Sequence, residues 1–310
     1  MKFNLLSSAC GAALLAAATP AFADSTFSGV VQLEYGSGTN NSSYFGLSGQ
    51  LGDPNYINGK AKGYWPLSQE IHLQVDLFVD HSQDIAADGG EWGNSGDATT
   101  YGGTVHLLHP FENRARLGVA GSLWNDDIYL PADDGKFDKT MGLAAIEGQF
   151  FGSDWTLTGQ AGVLATIECS DSCGGSLKDG TFVRGKIKYF LHDNTALSLE
   201  ALQLWGGLDD DDASVFNGKS TSHTKWKFEA EHRFESSQFA GTLGLSHETN
   251  EANVGLPISA DIDTVWLGVK FYYNQPSLKA HDRSGAELDT PDFGDLPESE
   301  GILSYLYGGP

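Results

Sequence analysis

The sequence predicts an all-β fold, an antiparallel, up-and-down transmembrane β-barrel of about twelve strands. Three observations predict it: polar and apolar residues alternate over most of the chain, most of the alternating runs are about ten residues or longer, and short turns take turns with long connections. Successive side chains of a strand point to opposite faces, so alternation means one wet and one dry face. Strands of soluble sheets usually stop at about five or six residues, whereas a tilted strand crossing a bilayer needs about nine to eleven.

The chain opens with Lys2, an apolar stretch from Leu5 to Ala18, Pro20 and Ala21-Phe22-Ala23. A charged start, a short apolar middle and an Ala-x-Ala site make a secretory signal peptide, and the stretch is too short for a transmembrane helix. Residues 1–23, with Cys10 among them, are expected to be cleaved, leaving a barrel over 24–273 and a tail over 274–310.

Strands are expected near 26–35, 42–50, 56–65, 69–81, 99–109, 113–124, 140–151, 154–168, 181–191, 194–206, 223–235, 238–248 and 261–273. The pattern is clean in Glu70-Ile-His-Leu-Gln-Val-Asp76, and again from Trp155 to Glu168, where Trp155, Leu157, Ala161, Val163 and Ile167 share the dry face. Short turns are expected at 66–68, 110–112, 152–153, 193 and 236–237, and long connections near 82–98, 125–139, 169–180, 207–222 and 249–260. That layout is the one transmembrane barrels use. Tyr64, Trp65, Phe111, Phe151, Trp155, Tyr189, Phe190, Phe234, Phe239, Tyr272 and Tyr273 gather at the short-turn ends, as an interfacial girdle of aromatic rings does. A soluble two-sheet sandwich or solenoid would show the same alternation. A closed ring of twelve strands, however, encloses more space than side chains fill, which favours the dry face turned outward to lipid.

With these features the chain resembles the bacterial outer-membrane β-barrels of the porin-like class. The likeness is architectural and covers the mature chain to Tyr273. Gly268-Val-Lys-Phe271-Tyr-Tyr273 is similar to that family's last strand, a glycine followed by alternating aromatics, although here the chain runs on to Pro310. The resemblance implies a place in the cell outer membrane, contact with its lipid, short turns in the periplasm, long loops outside and an even strand number. Thirteen runs are visible, so either 26–35 stays outside the sheet or 36–55 is one ragged outer loop.

The tail 274–300 holds Pro276, Pro291 and Pro297 among many acids, a composition that favours a disordered or loosely docked segment. Ile302-Leu-Ser-Tyr-Leu-Tyr307 offers an apolar stretch able to dock, with the lumen as one place for it.

Formal charge is −23, which argues against nucleic-acid binding. The acids concentrate in Asp126-Asp127, Asp133-Asp134 and Asp209 to Asp212. Oxygen ligands suit calcium or magnesium, but the spacing fits no defined calcium loop. A solvated loop is the plainer reading, so no metal and no cofactor is expected. Cys169 and Cys173, after an export signal, are expected to form a disulfide.

The polar strand faces carry the candidate lumen-lining residues: Arg114, Arg116, Arg184, Lys186, Lys188, Lys225, Lys227, Arg233 and Lys270, with Glu70, Asp76, Glu200, Glu229 and Glu231 as neutralising acids. Two readings stay open, a charged constriction that selects solutes and a salt-bridged interior. His247-Glu-Thr-Asn250 faintly resembles the His-x-Ser-Asn stretch of outer-membrane phospholipase and lipid A deacylase barrels. On that likeness His247 is a base and Thr249 a nucleophile. Thr in place of Ser departs from it, and an ordinary interfacial His is preferred, so no enzyme is expected. The expected function is passive passage of small hydrophilic solutes. The alternatives are a closed surface or structural barrel and, behind it, a lipid-modifying hydrolase. Oligomeric state is not readable.

Overall fold

The computed structural model describes residues 27–44, 47–52, 55–83, 97–112, 114–130, 135–170, 177–208, 220–253 and 257–293. Residues 1–26, which include the stretch read from the sequence as a signal peptide, the middle parts of the long connections and 294–310 lie outside them. So do Asp133-Asp134, Asp209 to Asp212, Cys173 and Ile302 to Tyr307. Thirteen strands follow one another: β1 (Ser28–Tyr44), β2 (Leu47–Gly52), β3 (Asn55–Pro66), β4 (His72–Gln83), β5 (Asp97–Phe111), β6 (Ala115–Leu130), β7 (Gly135–Phe151), β8 (Trp155–Ser170), β9 (Leu177–His192), β10 (Thr195–Leu208), β11 (Ser220–Arg233), β12 (Phe239–Asn253) and β13 (Pro257–Tyr273). Among the described residues one short helix, α1 (Leu278–Ser284), comes after them.

Twelve strands, β1 and β3 to β13, close into an antiparallel barrel, with β13 paired back to β1 from Gly29↔Tyr273 to Tyr44↔Ile258. β1 pairs on its other side with β3 over Ser28–Ser37 and then with β2 over Asn40–Tyr44. β2 is therefore a flap on the overhang of β1 rather than a barrel strand. The first expected strand, 26–35, is longer than its alternation shows, because Gly36 to Ser43 carries no apolar residue to mark a face. The even strand count comes from placing β2 outside the ring. Five short turns join β3–β4, β5–β6, β7–β8, β9–β10 and β11–β12 at one end. β1 starts and β13 finishes at that same end. Glu112 and Ser236 adopt positive φ in two of these turns.

The dry face points outward. Leu117, Val119 and Leu123 of β6 and Val265, Leu267 and Val269 of β13 are exposed, with Ile146 at 67% and Leu267 at 63%. The polar face is buried: Gln74, Thr104, His106, Arg116, Gln149 and Arg184 lie inside. A soluble sandwich would show the opposite sense. On β5, the outward rings of Tyr101 and Phe111 stand ten residues apart. At about 3.4 Å per residue and a tilt of roughly 40°, they bracket a band about 26 Å tall, the height of an apolar barrel belt.

Phe111, Trp155, Tyr189, Phe234 and Phe239 face outward as a girdle requires, but Tyr64, Phe190 and Tyr272 are buried on the lumen side. They sit one residue out of phase with the outward set and serve the interior. Asp126 is likewise not a loop residue: it lies in β6, buried, where its carboxylate accepts the Thr100 hydroxyl at 2.7 Å.

Candidate functional site

The site is the lumen, and the chain fills it with its own C-terminal segment. After Tyr273, Asn274 adopts φ 57 and its side-chain amide donates to the Phe27 carbonyl at 3.0 Å. The chain thereby turns back into the barrel from the short-turn end. Ser277 caps α1 by accepting the Ala280 amide at 3.1 Å. Leu278 clusters with Val30, Phe190, Ala196, Ala240 and Tyr272. Arg116 grips the helix end, donating to the Asp282 and Gly285 carbonyls at 3.1 and 3.0 Å. Its guanidinium lies over the Tyr64 and Phe151 rings, 5.3 and 5.2 Å from their centroids.

Residues 286–290 continue through the lumen with alternating apolar and charged partners. Ala286 and Leu288 pack with Tyr64 and Leu108. Glu287 and Asp289 turn the other way, to the basic wall. Glu287 meets Lys188 at 2.8 Å, and Asp289 meets Lys186 at 2.9 Å, Arg184 at 3.4 Å and Lys62. Gln74 donates to the Leu288 carbonyl at 2.6 Å, Gln160 to the Asp289 carbonyl at 3.0 Å, and the Thr104 and Thr290 hydroxyls are 2.6 Å apart. Burial pushes these acids up in pKa, but the cations outweigh it. Lys188 and Lys186 hold Glu287 down to about 2, and Lys186, Lys62 and Arg184 hold Asp289 well below the usual carboxylate range.

The wall is also knitted to itself. Arg184 forms a two-pronged pair with Glu200 at 2.6 and 2.7 Å, Lys270 pairs with Glu229 at 2.9 Å and Glu231 at 3.3 Å, and Lys188 reaches Glu231 at 3.4 Å. Opposite them the fully buried His106 sits between Glu147 at 2.9 Å and Asp76 at 3.3 Å. Beside the tail the space left is a cavity of about 40 Å³, enough for a water or two and nothing larger.

Toward the long-connection end the lumen widens into a vestibule of about 130 Å³ floored by Thr290, Pro291, Asp292 and Phe293. Phe293 stands between Trp124, 6.2 Å away and nearly parallel, and Phe182, 5.4 Å away and edge-on. Lys225 spans from Asp292 at 3.2 Å to Glu248 at 2.7 Å. Tyr56, Trp124 and Trp266 each lie against a glycine directly across the strand pair, Gly36, Gly102 and Gly244. A Cβ at Gly244 would stand 2.0 Å from the Trp266 ring, and one at Gly36 2.2 Å from Tyr56. Glycine here lets the rings lie flat on the wall and keeps the vestibule open.

Of the residues expected to line the lumen, Arg116, Arg184, Lys188, Lys225, Arg233, Asp76, Glu200 and Glu229 are buried inside, and Lys186 and Lys227 line the cavity beside the tail. Glu70 and Arg114 do not: both are exposed in short turns, beyond the strand ends where alternation loses its meaning. The tail acids Glu287, Asp289 and Asp292 were missed, and so were Lys62 and His106; the signal available was the strand-like alternation of Ala286-Glu-Leu-Asp-Thr290.

His247 is on the outward face, its Nδ1 2.8 Å from Asp263. Thr249 stands 3.5 Å from His247 Nε2, but its hydroxyl donates to Asp261 at 2.8 Å, so its proton is not directed at the histidine. No cluster of metal-ligating side chains occurs among the described residues.

No protein-family model and no characterised protein matches the sequence. Among solved structures, an outer membrane channel from Pseudomonas putida F1 is similar with a TM-score of 0.52 at 15% identity, over 79% of this chain and 95% of that one. The translocator domain of autotransporter NalP from Neisseria meningitidis matches with a TM-score of 0.46 at 11% identity, over 86% of this chain and 96% of that one. The P. putida toluene transporter TodX matches with a TM-score of 0.44 at 10% identity, over 83% and 92%. The chain has the fold of the bacterial outer-membrane β-barrels.

Proposed function

We propose that the protein is a plugged outer-membrane channel for small molecules, with the vestibule as its outer binding chamber and residues 278–293 as the obstacle that must shift before anything passes. The observation that carries this reading is a lipid-facing barrel whose lumen is a ring-sized chamber above a water-sized gap. A cavity of about 150 Å³ lined by apolar groups accommodates a benzene ring, so the chamber suits one compact solute.

Its lining joins Tyr56, Phe78, Trp124, Met141, Trp266 and Phe293 to charged groups such as Lys139, Lys225 and Asp80. An apolar body with a polar group fits such a lining better than a freely hydrated sugar or ion. The open pore for hydrophilic solutes expected from the sequence is not supported by a lumen filled this way. The reading also carries the location, with short turns in the periplasm and long connections outside.

Planar-bilayer conductance tests it. The full chain should show closed behaviour with rare, small steps, and a chain ending at Gln275 should show sustained, larger ones. In case the shortened barrel fails to fold, a Thr104→Cys/Thr290→Cys pair locks the tail: reduction should raise conductance and oxidation abolish it. Folded, inserted protein that never conducts in any of these forms would leave a closed structural barrel as the function.

A further inference from the structure

Around the gap beside the tail, the tail supplies much of the negative charge that faces the basic strands. There the strands supply six cations, Lys60, Lys62, Arg184, Lys186, Lys227 and Lys270, against two lining carboxylates, Glu200 and Glu229, with Glu231 reaching Lys270 at 3.3 Å from outside the gap. The tail adds three more carboxylates, Glu287, Asp289 and Asp292. Buried charges left without a counter-charge are costly, so a lumen emptied of its tail needs replacement anions.

We propose that this wall is an anion site which the tail occupies as a tethered competitor, and that the channel's solutes are compact organic monocarboxylates. The proposal rests on the channel reading and names its substrate class. The side chain of Asp289 is chemically an acetate group, held by Lys186 at 2.9 Å, Arg184 at 3.4 Å and Lys62. An incoming carboxylate finds the same three donors. The gap and the vestibule share Lys60, Lys227, Thr290 and Asp292 as lining, so a solute whose carboxylate takes the place of Asp289 has its apolar body next to the aromatic chamber. A carboxylate is favoured over a phosphate because each acid that the tail places against these cations brings a single charge. A segment tethered this close competes at an effective concentration in the millimolar range, so the intact chain keeps anions out except when the tail yields.

Calorimetric titration of the folded full chain with sodium benzoate, and with benzamide as its neutral counterpart, tests the site. Wild type should bind benzoate weakly. Glu287→Gln/Asp289→Asn should bind it at least tenfold more tightly, Lys186→Gln added to that pair should reverse the gain, and benzamide should bind poorly throughout. Equal benzoate affinity in wild type and the double variant, or benzamide binding as well as benzoate, overturns the proposal. If the double variant does not fold, the Thr104→Cys/Thr290→Cys pair decides: benzoate binding should vanish on oxidation and return on reduction, and binding that ignores the lock overturns it. Conductance of the chain ending at Gln275 without any benzoate response refutes the anion site and leaves the channel. Benzoate binding in protein that never conducts does the reverse.

Discussion

Arg116→Ala should release the tail while sparing the barrel. Arg116 donates to two tail carbonyls, at 3.0 Å to Gly285 and 3.1 Å to Asp282, from a buried position between two rings. Hydrogen bonds to charged groups contribute about 1.5–3 kcal/mol each. The carbonyls regain water when the tail leaves, so a net loss of about 3 kcal/mol is a reasonable central figure. Since 1.4 kcal/mol is a factor of ten, the docked-to-released ratio should fall roughly 100-fold. Hydrogen exchange in lipid reads this directly, because local opening sets the exchange rate of protected amides. The amides of Lys279, His281 and Gly285 are bonded to the Asp193, Ser277 and His281 carbonyls. They should exchange about 100-fold faster in the variant, while amides of β5–β7 stay unchanged. Arg116→Lys, whose single ammonium lacks the two-pronged reach, should give about half the loss in free energy. Unchanged tail exchange, or equal acceleration in the strands, would refute the assignment of Arg116 as a tail clamp.

Tail docking should show opposed pH responses in two variants. Burial lowers His281 to about 4, and burial with Glu287 raises Asp282 to about 6. The docked state therefore disfavours a proton on His281 and favours one on Asp282, and between about pH 6 and 4 the two effects oppose each other. With His281→Asn, docking measured by tail exchange should strengthen as pH falls through that window; with Asp282→Asn it should weaken. Below about pH 4 docking should weaken progressively in both as Glu287 and Asp289, whose pKa values are depressed when docked, take up protons. The same sign in both variants between pH 6 and 4 would sink the pairing. Val265→Arg, at mid-strand on the outward face with Val265 at 58% exposure, should cost about 2–4 kcal/mol in folding into lipid; a neutral result contradicts the lipid-facing assignment. Cys169 and Cys173 should resist alkylation in exported protein until a reductant is added, and free thiols would rule out the disulfide.

The barrel was legible because each strand repeats one simple decision, in or out, ten or more times. The runs from Trp155, Arg184 and Lys225 state it without ambiguity. Legibility ended where that decision stops mattering. Gly36 to Ser43 is strand held by pairing to β13, β3 and β2, with no apolar residue to mark its faces. Glu70 and Arg114 sit in short turns, outside the strands. The tail was harder to read for a different reason. Its apolar groups are too few to build a core of their own, which is why its composition resembles disorder, yet Leu278, Ala286 and Leu288 need none, since the lumen supplies their partners. Its acids look solvating in isolation and are counter-charges in place.

The tail also touches the barrel where it closes. Leu278 clusters with Val30 of β1 and Tyr272 of β13, the two strands of the seam, and Asn274 ties the end of β13 to Phe27 just ahead of β1. Peeling β13 from β1 at the short-turn end therefore means unseating Leu278 as well. During assembly the order is imposed: the tail's partners lie on strands all round the ring, and come into position together only once the last strand has met the first. Docking is then the final event of folding, and it bolts the joint from within.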